Sequence, residues 1–156
     1  MTQEPAGISI AEAKAEALAG FGASGPAHLN CAQAVVFFAL RALGRDVDLI
    51  TAARYLGGGM VRLGHECGAV TGAVLALGLR DLTDPEGTER DVAGITAELQ
   101  ELVRTFEAEF GHTTCRELTG HDLSTRESYK IFAASDARPR CADYVGWVCD
   151  RVGAVL

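Results

Sequence analysis

The residues of this sequence with the most reactive side chains are five cysteines, at positions 31, 67, 115, 141 and 149. The thiolate form of cysteine attacks disulfides, binds metal ions and reacts with oxidants. Four of the five follow a signal that starts a helix. Cys31 follows Asn30, and Cys67 follows a glycine-rich turn that begins at Gly57-Gly58-Gly59 and continues to Gly64. Cys115 follows His112-Thr113-Thr114, and Cys141 follows Pro139-Arg140. The first turn of a helix has free N–H groups and the positive end of the helix dipole, both of which favour a thiolate. The sequence therefore predicts lowered thiol pKa values at these four positions, with Arg116 and Arg140 adding to the effect. Cys149 sits in mid-helix among Val145, Trp147, Val148 and Val152, where a cysteine acts as a small buried hydrophobe.

The spacing narrows the chemistry without choosing one. No Cys-x-x-Cys occurs, which removes the thioredoxin-type motif and the common zinc ribbon. The gaps between the four cysteines are 36, 48 and 26 residues. A joint site therefore draws one ligand from each of four helices. Such a site suits an iron–sulfur cluster, a structural Zn ion, or a reversible disulfide beside a second thiol pair. His28, His65 and His112 lie two or three residues before Cys31, Cys67 and Cys115. They are accessory candidates, as a base or in a mixed Cys/His metal set, weighed against ordinary loop histidines. The Gly57-Gly58-Gly59 run lacks the Gly-Lys-Ser/Thr continuation of a phosphate loop. Glu98, Glu101, Glu107 and Glu109 read as a solvated helix face.

The elements that must position these thiols read as helices throughout. Ser9 and Glu12 form a capping box for a helix to about Ala19. Gly20 to Asn30 reads as a loop. Asn30 caps Cys31–Leu43, stopped by Gly44. Asp48 is expected to cap Leu49–Leu56. A helix with small residues Gly68, Ala69, Gly72, Ala73 and Ala76 on one face runs from about Cys67 to Leu79, and such a face lets a second helix approach closely. Asp84-Pro85-Glu86-Gly87 is a turn, and Thr88 is expected to cap an amphipathic helix to Phe110. A short helix from about Thr114 to Leu118 ends at Gly120. Ser124–Glu127 matches a capping box, and Pro139 is expected to start the last helix, to about Val152. No period-2 run reads as a strand. The predicted fold is all-α, a single compact bundle of six to seven helices over residues 1–156.

Composition sets the outer limits. With 14 Lys+Arg against 21 Asp+Glu the net charge is −7, which disfavours a nucleic-acid partner. The chain is 48% hydrophobic, too apolar for intrinsic disorder. The mostly apolar, nonionic run Cys67 to Leu79 falls short of the roughly 20 residues of a membrane span. The N-terminal segment lacks the basic and apolar regions of a signal peptide, so a cytoplasmic setting with reduced thiols is expected. Small-residue helix faces leave room for a homodimer.

The segments Asn30-Cys31-Ala32-Gln33-Ala34-Val35, Gly57-Gly58-Gly59-Met60, Cys67-Gly68-Ala69-Val70-Thr71-Gly72, Cys115-Arg116-Glu117-Leu118-Thr119-Gly120 and Cys141 carry a resemblance. Together they resemble the redox-active protein family named for the pattern C…GCAxxG…C…C, the C_GCAxxG_C_C family, over about residues 20–150. The resemblance implies a small helical redox protein. Through the related domain of split-Soret cytochromes it also implies an iron–sulfur cluster, with Cys31, Cys67, Cys115 and Cys141 as the ligands. No haem attachment motif is present to carry over. The leading expectation is electron transfer or redox sensing, with an unidentified redox partner, rather than turnover of a small molecule. The alternatives are a metal-free thiol–disulfide protein using the same four cysteines, a Zn site, and a helical binding or scaffold protein with inert thiols.

Overall fold

The computed structural model describes residues 6–82 and 91–156. Among these residues seven α-helices form: α1 (Ile10–Gly22), α2 (Cys31–Leu43), α3 (Gly68–Leu82), α4 (Val92–Phe110), α5 (Cys115–Thr119), α6 (Arg126–Ala133) and α7 (Ala137–Gly153). Two 3-10 helices, Gly25–Ala27 and Val47–Ala53, complete the set. Among the described residues there is no β-strand, only an isolated antiparallel bridge between Glu66 and Thr114. The all-α expectation holds. No helix among these residues is long and apolar enough to cross a membrane.

Local chemistry explains most boundaries. The Ser9–Glu12 capping box starts α1, which runs to Gly22, a turn beyond the expected end. In α2, Asn30 and Gln33 form a reciprocal capping box, and Gly44 closes the helix in the left-handed conformation. Gly111 and Gly120 close α4 and α5 in the same way.

Four expectations are corrected. The segment after α2 is a 3-10 helix over Val47–Ala53, not an α-helix over Leu49–Leu56. It is capped by Asp46, whose carboxylate accepts the Asp48 N–H at 2.9 Å. Leu49 and Ile50 pack there on a buried cluster of Ala32, Val36, Leu40 and Leu79. The cap of α4 is Asp91, accepting from Gly94 N–H, while Thr88 and the Asp84–Gly87 turn lie outside the described residues. The capping box of α6 is Thr125 with Ser128, one residue later than Ser124–Glu127. Finally, α7 starts at Ala137, so Pro139 is its third residue, where a missing N–H still leaves no intrahelical bond unmade.

The centre of the molecule is α2, packed against α1, α3 and α7. Its Ala32, Val35, Val36, Phe38 and Ala39 are almost fully buried. The approach of α3 to α2 depends on Gly68 and Gly72, one turn apart. A Cβ on Gly72 would lie 2.9 Å from the Ala32 carbonyl oxygen, and a Cβ on Gly68 would collide with the Cys31 sulfur. The small-residue face of α3 is thus a close-packing face against α2. Helix α4 is held by aromatic contacts: Phe106, fully buried, packs at 5.5–5.8 Å between ring centres on Trp147 and Tyr144 of α7.

Candidate functional site

Cys31 is the first residue of α2, and its position is set by the cap before it. Asn30 Oδ1 accepts the Gln33 N–H at 2.9 Å, and Asn30 Nδ2 donates to the Arg54 carbonyl at 2.9 Å. That bond ties the helix start to the segment that leads into the glycine run. Burial pushes the Cys31 thiol up. The nearby backbone N–H groups of Gly58, Ala32 and Gly68 act in the opposite direction by favouring the anionic form.

Cys67 stands immediately before α3. Its carbonyl accepts from Val70 and Thr71, both at 3.0 Å, so it occupies the cap position. Its N–H donates to the Thr113 carbonyl at 2.8 Å, while the Cys115 N–H donates to the His65 carbonyl at 2.7 Å. These two bonds clamp the entry to α3 against the entry to α5. Two cysteines 48 residues apart in sequence are held side by side. Cys115 is the first residue of α5, whose cap Thr114 accepts the Glu117 N–H.

Cys141 is the fifth residue of α7, in its second turn, so the expected first-turn placement fails there. Its thiol donates instead to the Ala137 carbonyl, at 3.7 Å. The cause is the earlier start of α7, where Ala137 is drawn into a buried cluster with Cys115, Leu123 and Phe132.

The expectation of lowered thiol pKa values is also overturned. Burial pushes Cys67 well above the ordinary range, and nearby Cys31, Cys115 and Cys141 push it further, with Ala69 N–H opposing. Burial raises Cys115 to about 12, with Cys31 and Cys141 adding, and Arg116 pulling down. Burial raises Cys141 to about 11, with Arg138 and Arg140 pulling down. The arginine effects have the expected sign. Removal from water outweighs them, because a few N–H groups do not replace the hydration of an anion.

The four cysteines converge. Cys31, Cys115 and Cys141 line one cavity of about 430 Å³, between α2, the glycine run, α5, α6 and α7. Cys67 lies outside the lining, within electrostatic reach of the other three. All five thiols are free. Among the described residues, no three His, Cys, Asp or Glu side chains are gathered closely enough to hold a single metal ion. Cys149 is fully buried in the main core beside Val145, Val148 and Val152, away from the cavity.

The histidines divide. His28 lines the cavity and donates Nδ1–H to the Ala23 carbonyl at 3.1 Å. His65 serves the site through its backbone, and the exposed His112 ring sits 3.6 Å from Glu117; neither lines the cavity.

Sequence reasoning misses part of the site. Gly58, Gly59, Met60, Val61 and Arg62 all have positive φ, at 66°, 70°, 60°, 46° and 64°. They form a hydrogen-bonded left-handed turn, in which Arg62 N–H donates to Gly57 and His65 N–H donates to Gly59. The triple glycine marks a turn, but nothing in Met60-Val61-Arg62 signals this conformation, which a β-branched residue rarely adopts. The turn brings Gly58 N–H to Cys31 and sets Val61 and Arg62 on the cavity wall. Arg54, Arg138, Phe21 and Tyr129 also line the cavity, from segments too far apart in sequence to be grouped in advance.

Among protein families, a model described as "Putative redox-active protein (C_GCAxxG_C_C)" matches residues 29–155. Comparison with curated proteins and with solved structures gave no match.

Proposed function

The chain belongs to the redox-active protein family C_GCAxxG_C_C, and on that footing we propose that Cys31, Cys67, Cys115 and Cys141 hold an iron–sulfur cluster used for electron transfer or redox sensing. The observation that supports this reading is the convergence of three thiols on one cavity, with a fourth electrostatically coupled to all of them. The donor set fits: soft sulfur ligands are the ones such clusters take. Buried thiols that resist ionisation in water's absence are deprotonated when a cation binds, so the raised pKa values oppose a bare thiolate and not a metal-bound one. A bound cluster supplies a one-electron carrier. The chain's own residues do the rest. Gly58, Ala32 and Gly68 N–H groups would favour negative charge on the Cys31 sulfur, and Ala69 N–H would do so at Cys67, which is buried.

Anaerobic purification from a host that assembles clusters tests this, with iron and sulfide analysis and ultraviolet–visible and EPR spectra. The expected result is iron-bearing, coloured protein that loses iron on Cys31→Ser, Cys67→Ser, Cys115→Ser or Cys141→Ser and keeps it on Cys149→Ala. Colourless, iron-free wild-type protein overturns the cluster.

A second reading, a metal-free thiol–disulfide protein, draws support from the same gathering of Cys31, Cys115 and Cys141 on one cavity with Cys67 in electrostatic reach. It expects peptide mapping after mild oxidation to find a bridge among the same four cysteines. Zinc at the site would show by elemental analysis.

A further inference from the structure

The cavity is larger and differently lined than four thiols require. Its volume, about 430 Å³, falls within the range of small-molecule sites. Its lining joins Cys31, Cys115 and Cys141 to Phe21, Leu123, Tyr129 and Phe132 and to three arginines, Arg54, Arg62 and Arg138.

The charge of this lining runs against the charge of the chain. Acidic residues outnumber basic ones by 21 to 14, yet among the described residues no Asp or Glu lines the cavity. Elsewhere arginines meet carboxylates: Arg41 with Glu16, Arg80 with Asp81, Arg104 with Glu101, Arg116 with Asp122. Among the described residues no carboxylate pairs with Arg54, Arg62 or Arg138. Two of them are instead held on aromatic faces. The Arg62 guanidinium lies 4.2 Å over the Tyr129 ring, and that of Arg138 lies 4.8 Å over Phe21. Stacking fixes a guanidinium plane and leaves its N–H edge free to meet an anion. The left-handed turn that carries Arg62 to the wall holds three non-glycine residues in a disfavoured conformation, as binding sites often do.

We propose that this cavity binds a small organic carboxylate, its head held by Arg54, Arg62 and Arg138 and its apolar body against Phe21, Tyr129 and Phe132. The proposal rests on the redox reading only in naming the neighbouring cysteines the redox centre; the ligand would sit against that centre. Guanidiniums that served only to offset charge on the sulfurs would need neither the aromatic walls nor the open volume.

Isothermal titration of 3-phenylpropionate into the anaerobically purified full chain tests it, with the uncharged 3-phenylpropionamide as the comparison. The carboxylate is expected to bind at least about tenfold more tightly than the amide, and more weakly as salt rises. Arg62→Gln combined with Arg138→Gln is expected to weaken carboxylate binding by about tenfold or more, while Arg104→Gln, outside the cavity, leaves it unchanged. Equal binding of acid and amide, no binding at millimolar concentration, or indifference to the paired arginine substitutions overturns the proposal. Iron content and EPR spectra recorded on the same samples keep the two readings separate. Cluster-bearing protein that ignores the carboxylate defeats the pocket alone, and iron-free protein that binds it defeats the cluster alone.

Discussion

A methyl group added at Gly68 would occupy the space of the Cys31 sulfur, and it would also crowd the Ala32 nitrogen at 3.2 Å and the Leu56 carbonyl oxygen at 3.3 Å. One residue pair therefore couples the α2–α3 crossing to the position of a candidate ligand. Gly68→Ala is expected to destabilise the fold by about 1–3 kcal/mol, the range for overpacking a buried contact. Cys31→Ala removes the sulfur and part of the collision. On that background Gly68→Ala is expected to cost less, with the remainder set by the Ala32 and Leu56 contacts. Urea denaturation of the four proteins measures the cycle, and additive losses would show that the sulfur is not what Gly68 makes room for. At this scale the sequence is informative about which residues matter and less so about their state. The types and spacing of Cys31, Cys67, Cys115 and Cys141 point to one site. Their ionisation is misjudged from sequence, because the caps before Cys31 and Cys115 are local and readable whereas burial, like the second-turn place of Cys141, is set by the assembled core.

Among the elements, the left-handed turn from Gly58 to Arg62 bears most directly on the site. Val61 is 58% exposed and holds φ 46°, so it loses little packing on truncation and carries real backbone strain. Glycine removes the strain but enlarges the unfolded ensemble. Val61→Gly is therefore expected to range from neutral to about 1 kcal/mol stabilising, against the usual loss when glycine replaces a larger residue. A thermal melt that falls by the equivalent of about 1 kcal/mol or more would mean that the turn is not strained at Val61. The elements as a group show why some boundaries are legible. Asn30 with Gln33, and Gly44, Gly111 and Gly120, end their helices through chemistry carried within a few residues. The start of α7 at Ala137 and the 3-10 form of Val47–Ala53 depend on what Ala137, Leu49 and Ile50 touch across the molecule. The cavity belongs to this second kind, since its arginines arrive from three separate segments.

At the scale of the whole molecule, the core holds a thiol that the candidate site does not use. Cys149 is fully buried, and burial raises its thiol to about 12 from an ordinary value of 9.0, with Lys14 opposing and Asp150 adding. The folded chain therefore keeps this proton at pH values where the unfolded chain has released it. The unfolded state then binds fewer protons than the native one, and stability falls as pH rises. The contribution is intact below about pH 9 and drains away between pH 9 and 12. One proton held only by the folded state costs about 1.36 kcal/mol for each pH unit climbed, so by pH 11 the loss from this group reaches about 2–3 kcal/mol. Other groups, including the four site thiols, titrate in the same window, so the wild-type curve alone does not isolate it. Cys149→Ala does. The substitution is expected to cost about 1 kcal/mol near neutral pH, as a small truncation in a packed core. It also abolishes this alkaline loss, so the variant overtakes the wild type as pH climbs from about 8 to about 11. Urea midpoints of both proteins across that range give the test. Curves that stay parallel would mean that Cys149 ionises as readily folded as unfolded, and that the helix α7 face around Val145, Val148 and Val152 admits water.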